Sequence, residues 1–191
     1  MRIISGTAKG TKLYTLEGTT TRPTLDRVKE SIFNIIQNEL EDVTFLDLFS
    51  GSGAIGLEAL SRGAKRAILC DESKDAIKII KLNAEKTHLT NKTEILNCDF
   101  KICLNKINEK VDIIFLDPPY KTNYIYEALE IIQKKEIANE ETLIILETED
   151  KERIKNQIQN LQFEIIDERK YGIANILFLK RKNLNLEGSK V

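Results

Sequence analysis

From residue 44 onward the chain alternates between two rhythms. Short, nearly continuous apolar runs are separated by longer stretches in which apolar positions recur every three or four residues. The runs at 44–49, 66–70, 94–97, 111–116 and 142–147 predict five strands. The stretches at 54–62, 74–87 and 123–134 predict helices, the second with Ala76, Ile77, Ile80 and Ala84 on one face. Strands that are apolar on both sides need cover on both sides, which implies a parallel sheet between helical layers. The end of the chain differs. Strands at 163–169 and 173–179 are joined by little more than Tyr171-Gly172, a link that permits antiparallel pairing only. Ahead of the alternating region, 2–7 and 12–16 read as two short strands around Lys9-Gly10-Thr11, a hairpin-like arm. Thr24 is placed to cap a helix over 25–40, where Val28, Ile32, Ile35 and Ile36 form an apolar stripe. The expected fold class is therefore α/β. A mostly parallel seven-stranded sheet closes in an antiparallel hairpin and carries an N-terminal arm and helix over 1–42. One domain spans 1–182. Residues 183–191 lack periodicity and read as a flexible tail.

Bulk properties narrow the class. The chain has 191 residues, 41% of them apolar and 31% charged, which suits one soluble domain with a full core. No run approaches the ~20 apolar residues of a membrane span, and Met1 to Gly6 lacks a secretory pattern. The expectation is a cytoplasmic protein without membrane contact. Cys70, Cys98 and Cys103 are scattered and odd in number, and no ligand-type pairing with the single His88 is visible, so no disulfide framework or metal site is expected. Net charge is −1, which argues against indiscriminate coating of nucleic acid. Residues 1–30 hold six basic side chains (Arg2, Lys9, Lys12, Arg22, Arg27, Lys29) and three acids (Glu17, Asp26, Glu30), a net +3, leaving −4 on the remainder. A basic segment on an acidic body suggests phosphate contact, with Lys9, Lys12 and Arg22 as the candidates.

Two motifs carry chemistry. The first runs from the strand at 44–49 into the next helix, and its glycines Gly51, Gly53 and Gly56 satisfy G-x-G-x-x-G. With Phe49 and Ser50 they form a loop that lets a ligand approach the backbone. Asp71 ends the second strand 20 residues after Gly51, a position that suits a carboxylate binding ribose hydroxyls; Glu72 beside it is a second candidate acid. Asp47, just before the loop, repels a pyrophosphate but suits an ammonium group. S-adenosylmethionine carries an α-ammonium and a ribose and no phosphate, so the local chemistry favours it over a nicotinamide dinucleotide. Asp99 suits the adenine amino group, with Phe100 beside the ring; Asp99 also reads as a helix N-cap.

The second motif is Asp117-Pro118-Pro119-Tyr120. Prolines cannot continue a central strand. The strand at 111–116 therefore stops and presents a carboxylate, two stiff residues and an aromatic ring. Asp117 and a proline-flanking carbonyl can accept hydrogens from an exocyclic amino group, and Tyr120 can stack on a flat base.

The segment Leu46 to Gly56 followed by Asp117-Pro118-Pro119-Tyr120 resembles the class I amino-methyltransferases that use S-adenosylmethionine, whose fold is Rossmann-like. Met1-Arg2-Ile3-Ile4-Ser5-Gly6 with Lys9-Gly10 and Lys12-Leu13, and the segment Thr21 to Asn34, resemble the RsmD family. That resemblance covers roughly residues 1–180. It implies methylation of the N2 amino group of one guanine in 16S ribosomal RNA, in naked form or within a partly assembled 30S subunit. It also implies that Thr24 reaches the methionine end of the cofactor. The expected protein is a monomer. A DNA adenine-N6 methyltransferase, a nicotinamide oxidoreductase and a non-catalytic RNA-binding assembly factor are the rival readings. Asp-Pro-Pro-Tyr alone does not separate guanine N2 from adenine N6.

Overall fold

The computed structural model describes residues 1–16, 23–119 and 122–182, the side chains of 23–25 excepted. Seven strands form one sheet: β1 (Thr44–Asp47), β2 (Arg66–Asp71), β3 (Thr93–Asn97), β4 (Ile113–Leu116), β5 (Leu143–Thr148), β6 (Phe163–Tyr171) and β7 (Ala174–Arg181). Their order is β3-β2-β1-β4-β5-β7-β6. The first five run parallel, and β7 lies antiparallel between β5 and β6. The parallel sheet and its closing hairpin are those the apolar runs predict.

The central strands are apolar on both sides because both sides are covered. Phe45, Leu69, Phe115 and Ile145 pack on a layer made by α1 (Pro23–Ile35), α2 (Ala54–Ser61) and α3 (Lys74–Lys86). Leu46, Ile68, Ile114 and Leu146 pack on α4 (Phe100–Lys106), α5 (Tyr124–Lys134) and α6 (Lys151–Gln157). Neither α4 nor α6 is visible in the sequence pattern. Each has 7 residues, too few to display a period, and α6 buries only Ile154. Both open on an aspartate cap: Asp99 accepts from the Lys101 amide at 2.8 Å and Asp150 from the Arg153 amide at 3.0 Å.

The N-terminal region departs furthest from the pattern. α1 begins at Pro23, a residue that suits a first turn, so Thr24 lies inside the helix instead of capping it. The buried stripe is Val28, Ile32, Phe33 and Ile36, while Ile35 is 40% exposed. Phe33 takes the inward position because it stacks on Phe45 of β1, ring centroids 6.3 Å apart. The two strands expected in the arm shorten to a small hairpin with one antiparallel bridge, Arg2 to Lys12, in which the Ile3 amide donates to the Thr11 carbonyl (3.0 Å), the Gly10 amide to the Ile3 carbonyl (2.9 Å) and the Leu13 amide to the Met1 carbonyl (3.0 Å).

Side chains, not a sheet, hold the arm down. Glu58 of α2 is fully buried and accepts from the amides of Ile4 (2.8 Å) and Ser5 (3.0 Å). It also pairs with Lys29 Nζ at 3.0 Å and Arg62 Nε at 2.8 Å. A buried charge is tolerable when its lone pairs are matched in this way. Lys29, one of the six basic residues of the first thirty, is therefore buried and paired with Glu58. Ser61 Oγ accepts from the Ala8 amide at 2.9 Å and donates to the Ser5 carbonyl at 2.6 Å. Gly6 makes the close approach possible. Its φ is +82°, and a Cβ there would lie 1.7 Å from the Ser61 carbonyl oxygen. Asn83 of α3 completes the anchor. Its Oδ1 accepts from the Tyr14 amide at 2.8 Å, and its Nδ2 donates to the carbonyls of Tyr14 (3.0 Å) and Ser52 (2.9 Å). One amide thus ties the arm to the glycine-rich loop.

Candidate active site

In an open parallel sheet, ligands bind beyond the carboxyl ends of the strands where the order reverses. Here that point lies between β1 and β4, and the two sequence motifs leave the sheet there. β1 ends at Asp47 and passes through Phe49, Ser50, Gly51 and Gly53 into α2. β4 ends at Leu116 and passes into Asp117, Pro118 and Pro119.

The glycine-rich loop spends its N–H groups on neighbouring acids. The Gly51 amide donates to Asp71 Oδ2 at 2.8 Å, and the Gly56 amide donates to Asp47 Oδ2 at 3.2 Å. The Gly53 amide donates to the Ser50 carbonyl at 2.7 Å. These are groups that a pyrophosphate would need, which removes the main reason to read a dinucleotide here. Gly56 itself is required by packing. A Cβ at that position would lie 2.0 Å from Leu69 Cδ2 of β2.

Two adjoining cavities open at the switch point and share Phe49, Gly51 and Asp117. The larger, about 380 Å³, is lined by Asp71, Glu72, Asp99, Phe100, Pro118 and Tyr124 among others. The Asp71 carboxylate is held by the amides of Gly51 and Ser73 (2.9 Å) and stands at the rim. Asp99 is the α4 cap expected as one alternative, and it also lines the cavity. Phe49, Phe100 and Tyr124 form an aromatic wall, with centroids 5.3 Å (Phe49–Phe100), 4.9 Å (Phe100–Tyr124) and 6.3 Å (Phe49–Tyr124) apart. Tyr124 is not singled out by any motif.

The smaller cavity, about 260 Å³, lies toward α1 and is lined by Val28, Ile32, Asp47, Ser50, Asp117 and Glu147 among others. Three carboxylates meet there because of strand register. Asp47 pairs with Phe115, and Leu116 pairs with Leu146, so Asp117 and Glu147 follow one residue later on neighbouring strands. Asp47 is 1% exposed. Burial pushes its carboxyl up to about 7, against the Gly56 hydrogen bond. Burial, then the charges of Glu147 and Asp47, push the Asp117 carboxyl up to about 8. A pocket with this cost of negative charge is complementary to a cation. Glu147 escapes the sequence reading because it sits at the end of an ordinary apolar strand.

Of the site residues expected from sequence, Asp47, Phe49, Ser50, Gly51, Asp71, Asp99, Phe100, Asp117, Pro118 and Pro119 line the two cavities. Tyr120 and Arg22 lie outside the described residues, and so does the side chain of Thr24. Lys9 and Lys12 are exposed on the arm. The cysteines that look scattered in sequence converge: the Cys70 thiol donates to the Cys98 carbonyl at 3.3 Å. A hydrogen bond with Cys103 and burial hold the Cys70 thiol above its ordinary pKa.

The donor set suits S-adenosylmethionine. Carboxylates able to accept from an ammonium and from hydroxyls line the two cavities, an aromatic wall flanks the larger one, and the loop amides of Gly51 and Gly56 are engaged by carboxylates. Comparison with known proteins agrees. The family described as conserved hypothetical protein 95 matches this chain over residues 1–180. YlbH of Bacillus subtilis is 35% identical over 185 residues, 95% of this chain and 100% of that protein. Ribosomal RNA small subunit methyltransferase D of Haemophilus influenzae is 32% identical over 178 residues, 92% of this chain and 91% of that protein. Among solved structures, the methyltransferase yhhF from Escherichia coli matches with a TM-score of 0.80 at 28% identity, covering 95% of this chain and 98% of that one. The chain belongs to the RsmD family of S-adenosylmethionine-dependent methyltransferases, with the Rossmann-like class I fold.

Proposed function

We propose that this protein transfers a methyl group from S-adenosylmethionine to the exocyclic N2 amino group of a guanine in 16S ribosomal RNA. The observation that carries the reading is the row of carboxylates at the ends of β1, β4 and β5, beside a glycine-rich loop whose amides are already engaged. When bound, the cofactor supplies a methyl group on a positively charged sulfur. Asp47 holds the ammonium end together with Ser50, and Thr24 reaches the same end. Asp71 accepts from the ribose hydroxyls. Asp99 accepts from the adenine amino group, and Phe49 and Phe100 flank the ring. Gly51, Gly53 and Gly56 keep the backbone thin enough for close approach.

The substrate amine is a weak nucleophile because its lone pair is delocalised into the ring. Asp117 and the Pro118 carbonyl accept its two hydrogens and favour a pyramidal nitrogen whose lone pair points at the methyl carbon. Most of the rate enhancement is positioning. As the new N–C bond forms and the C–S bond breaks, the nitrogen becomes cationic and releases one proton. Asp117, with its raised pKa, is matched to accept it near neutral pH. Pro119 stiffens the tip, and Tyr120 stacks on the base once it is unstacked from the RNA. Lys9, Lys12 and Arg22 hold phosphates and set register. A net charge of −1 with a small basic arm favours a partly assembled 30S particle in the cytoplasm over bare RNA, which would profit from more charge. The enzyme acts as a monomer.

The test is methyl transfer from labelled cofactor to small-subunit RNA, naked and as particles, taken from cells lacking the enzyme, with the product nucleoside and its position read by mass spectrometry. N2-methylguanosine at one position is the expected product. N6-methyladenosine, or cofactor binding without transfer to any RNA, would sink the assignment.

A further inference from the structure

Asp117 explains how an amino group is held but not which base carries it. An adenine N6 and a guanine N2 present the same pair of hydrogens. The distinguishing atom is the ring nitrogen next to them. In guanine N1 carries a hydrogen and donates; in adenine N1 has a lone pair and accepts. A group beside Asp117 that accepts only would therefore choose guanine.

Glu147 is in that position. The β4–β5 register pairs Leu116 with Leu146, so Asp117 and Glu147 are the next residues on adjacent parallel strands, which run ~4.8 Å apart. Both line the cavity toward α1. Glu147 also lines a third cavity, about 210 Å³, on the outer side of Pro118 and Pro119. It thus borders both the cavity that holds Asp117 and the Pro-Pro tip. We propose that Glu147 accepts the N1–H of the target guanine while Asp117 accepts from its N2 amino group, and that this pair of adjacent acceptors selects guanine over adenine. The inference rests on the methyl-transfer reading given above. Burial, then the charges of Glu147 and Asp47, raise the Asp117 carboxyl, and a neutral base donating to both carboxylates offsets the second of these causes.

The experiment uses the nucleotide mapped in the transfer assay above. That guanine is replaced by 2-aminopurine, which keeps the 2-amino group but exchanges the N1–H for a lone pair and the O6 carbonyl for a hydrogen, a loss that the Glu147→Gln variant controls for. The small-subunit RNA is rebuilt around it by ligation and assembled into particles. Wild-type enzyme is expected to methylate the 2-aminopurine particle roughly 5- to 150-fold more slowly than the guanine particle, the range of one base-edge contact. In Glu147→Gln the side-chain amide can donate to the lone pair, so the preference should shrink or reverse. Binding of S-adenosylmethionine to the variant, measured by calorimetry, should persist, weakened by no more than about tenfold through loss of one charge from the carboxylate row, which also certifies its fold. Equal wild-type rates on the two particles would overturn the proposal without using any variant. So would a Glu147→Gln enzyme whose preference is unchanged, or whose sole defect is weaker cofactor binding, which would move Glu147 to the methionine end. Failure of wild type to methylate the guanine particle at all would instead sink the underlying methyl-transfer reading.

Discussion

Asp117→Asn should separate catalysis from stability in opposite directions. Asp117 has its carboxyl raised from the ordinary 3.8 to about 8, mostly by burial, then by the charges of Glu147 and Asp47. A carboxyl whose folded pKa lies above its unfolded value contributes stability that is fully present below pH 3.8 and is lost as pH rises toward 8. Each pKa unit corresponds to ~1.4 kcal/mol, so ionising this one group costs the fold roughly 6 kcal/mol at most. Asparagine has nearly the same shape and no charge, so it removes that penalty. At pH 5 most of the penalty is absent and the two proteins should differ little. At pH 8.5 the variant should be the more stable, with the difference between the two pH values amounting to about 4 kcal/mol by linkage. Comparing two pH values cancels any constant packing effect of the new amide. Part of the gain returns through Asp47, which ionises more easily once its neighbour is neutral.

Urea titrations followed by far-ultraviolet circular dichroism would read the effect. With a slope near ~2 kcal/mol per molar, the midpoint gap between variant and wild type should widen by about 2 M from pH 5 to pH 8.5. In the same preparations methyl transfer should fall at least ~100-fold, because the variant places a donor where an acceptor is needed and offers no proton acceptor. A midpoint gap that does not change with pH would refute the electrostatic account of the site, whatever happens to activity.

Other consequences follow from the same structure. Cofactor affinity should rise with pH between about 6 and 8, since the Asp47 carboxyl is raised to about 7 and only its ionised form attracts the ammonium; calorimetry in buffers of different ionisation enthalpy should register proton release on binding, and a flat pH profile would contradict the role given to Asp47. Glu58→Gln should destabilise the fold by ~3–5 kcal/mol, because it leaves Lys29 and Arg62 without their shared buried partner; a thermal melt unchanged within ~1 °C would show the arm is held otherwise. Gly56→Ala should cost ~1–3 kcal/mol by overpacking against Leu69 Cδ2, and Leu69→Ala in the same chain should recover part of it, a coupling that a double-mutant cycle measures directly. Replacing Lys9 and Lys12 together by alanine should weaken particle binding and flatten its salt dependence by up to ~1.8 in log–log slope, with cofactor affinity untouched; an unchanged slope would remove the arm from the RNA.

How much of this was legible in the sequence follows from what each residue's role depends on. The strands of the parallel sheet are legible because burial on both sides forces continuous apolar runs, and the glycine-rich turn because its small residues and the helix after it are local. α4 and α6 are not, since 7 residues set by an aspartate cap and one to three buried side chains leave no period to detect. The arm misleads for a related reason. Its alternation is real and a short backbone pairing forms, but Ile3, Ala8 and Leu13 are buried and the amides of Ile4, Ser5, Ala8 and Tyr14 bond to Glu58, Ser61 and Asn83, partners more than fifty residues away. The charge count fails at Lys29 on the same ground: composition records a cation but not that a buried glutamate claims it.

The site shows the limit most sharply. Asp47 and Asp117 announce themselves, one before a glycine loop and the other before two prolines. Glu147 has no such frame, and its neighbours Leu146 and Thr148 give it the look of a strand end turning to solvent. What makes it part of the site is that β4 and β5 are adjacent and in register, so that residues thirty apart stand side by side. Strand order is a property of the closed sheet, with α1 to α3 covering one side and α4 to α6 the other. The motif therefore reports the half of the chemistry that lies on one strand, the grip on an amino group. The half that tells one base from another lies on the next strand, where a sequence motif cannot reach.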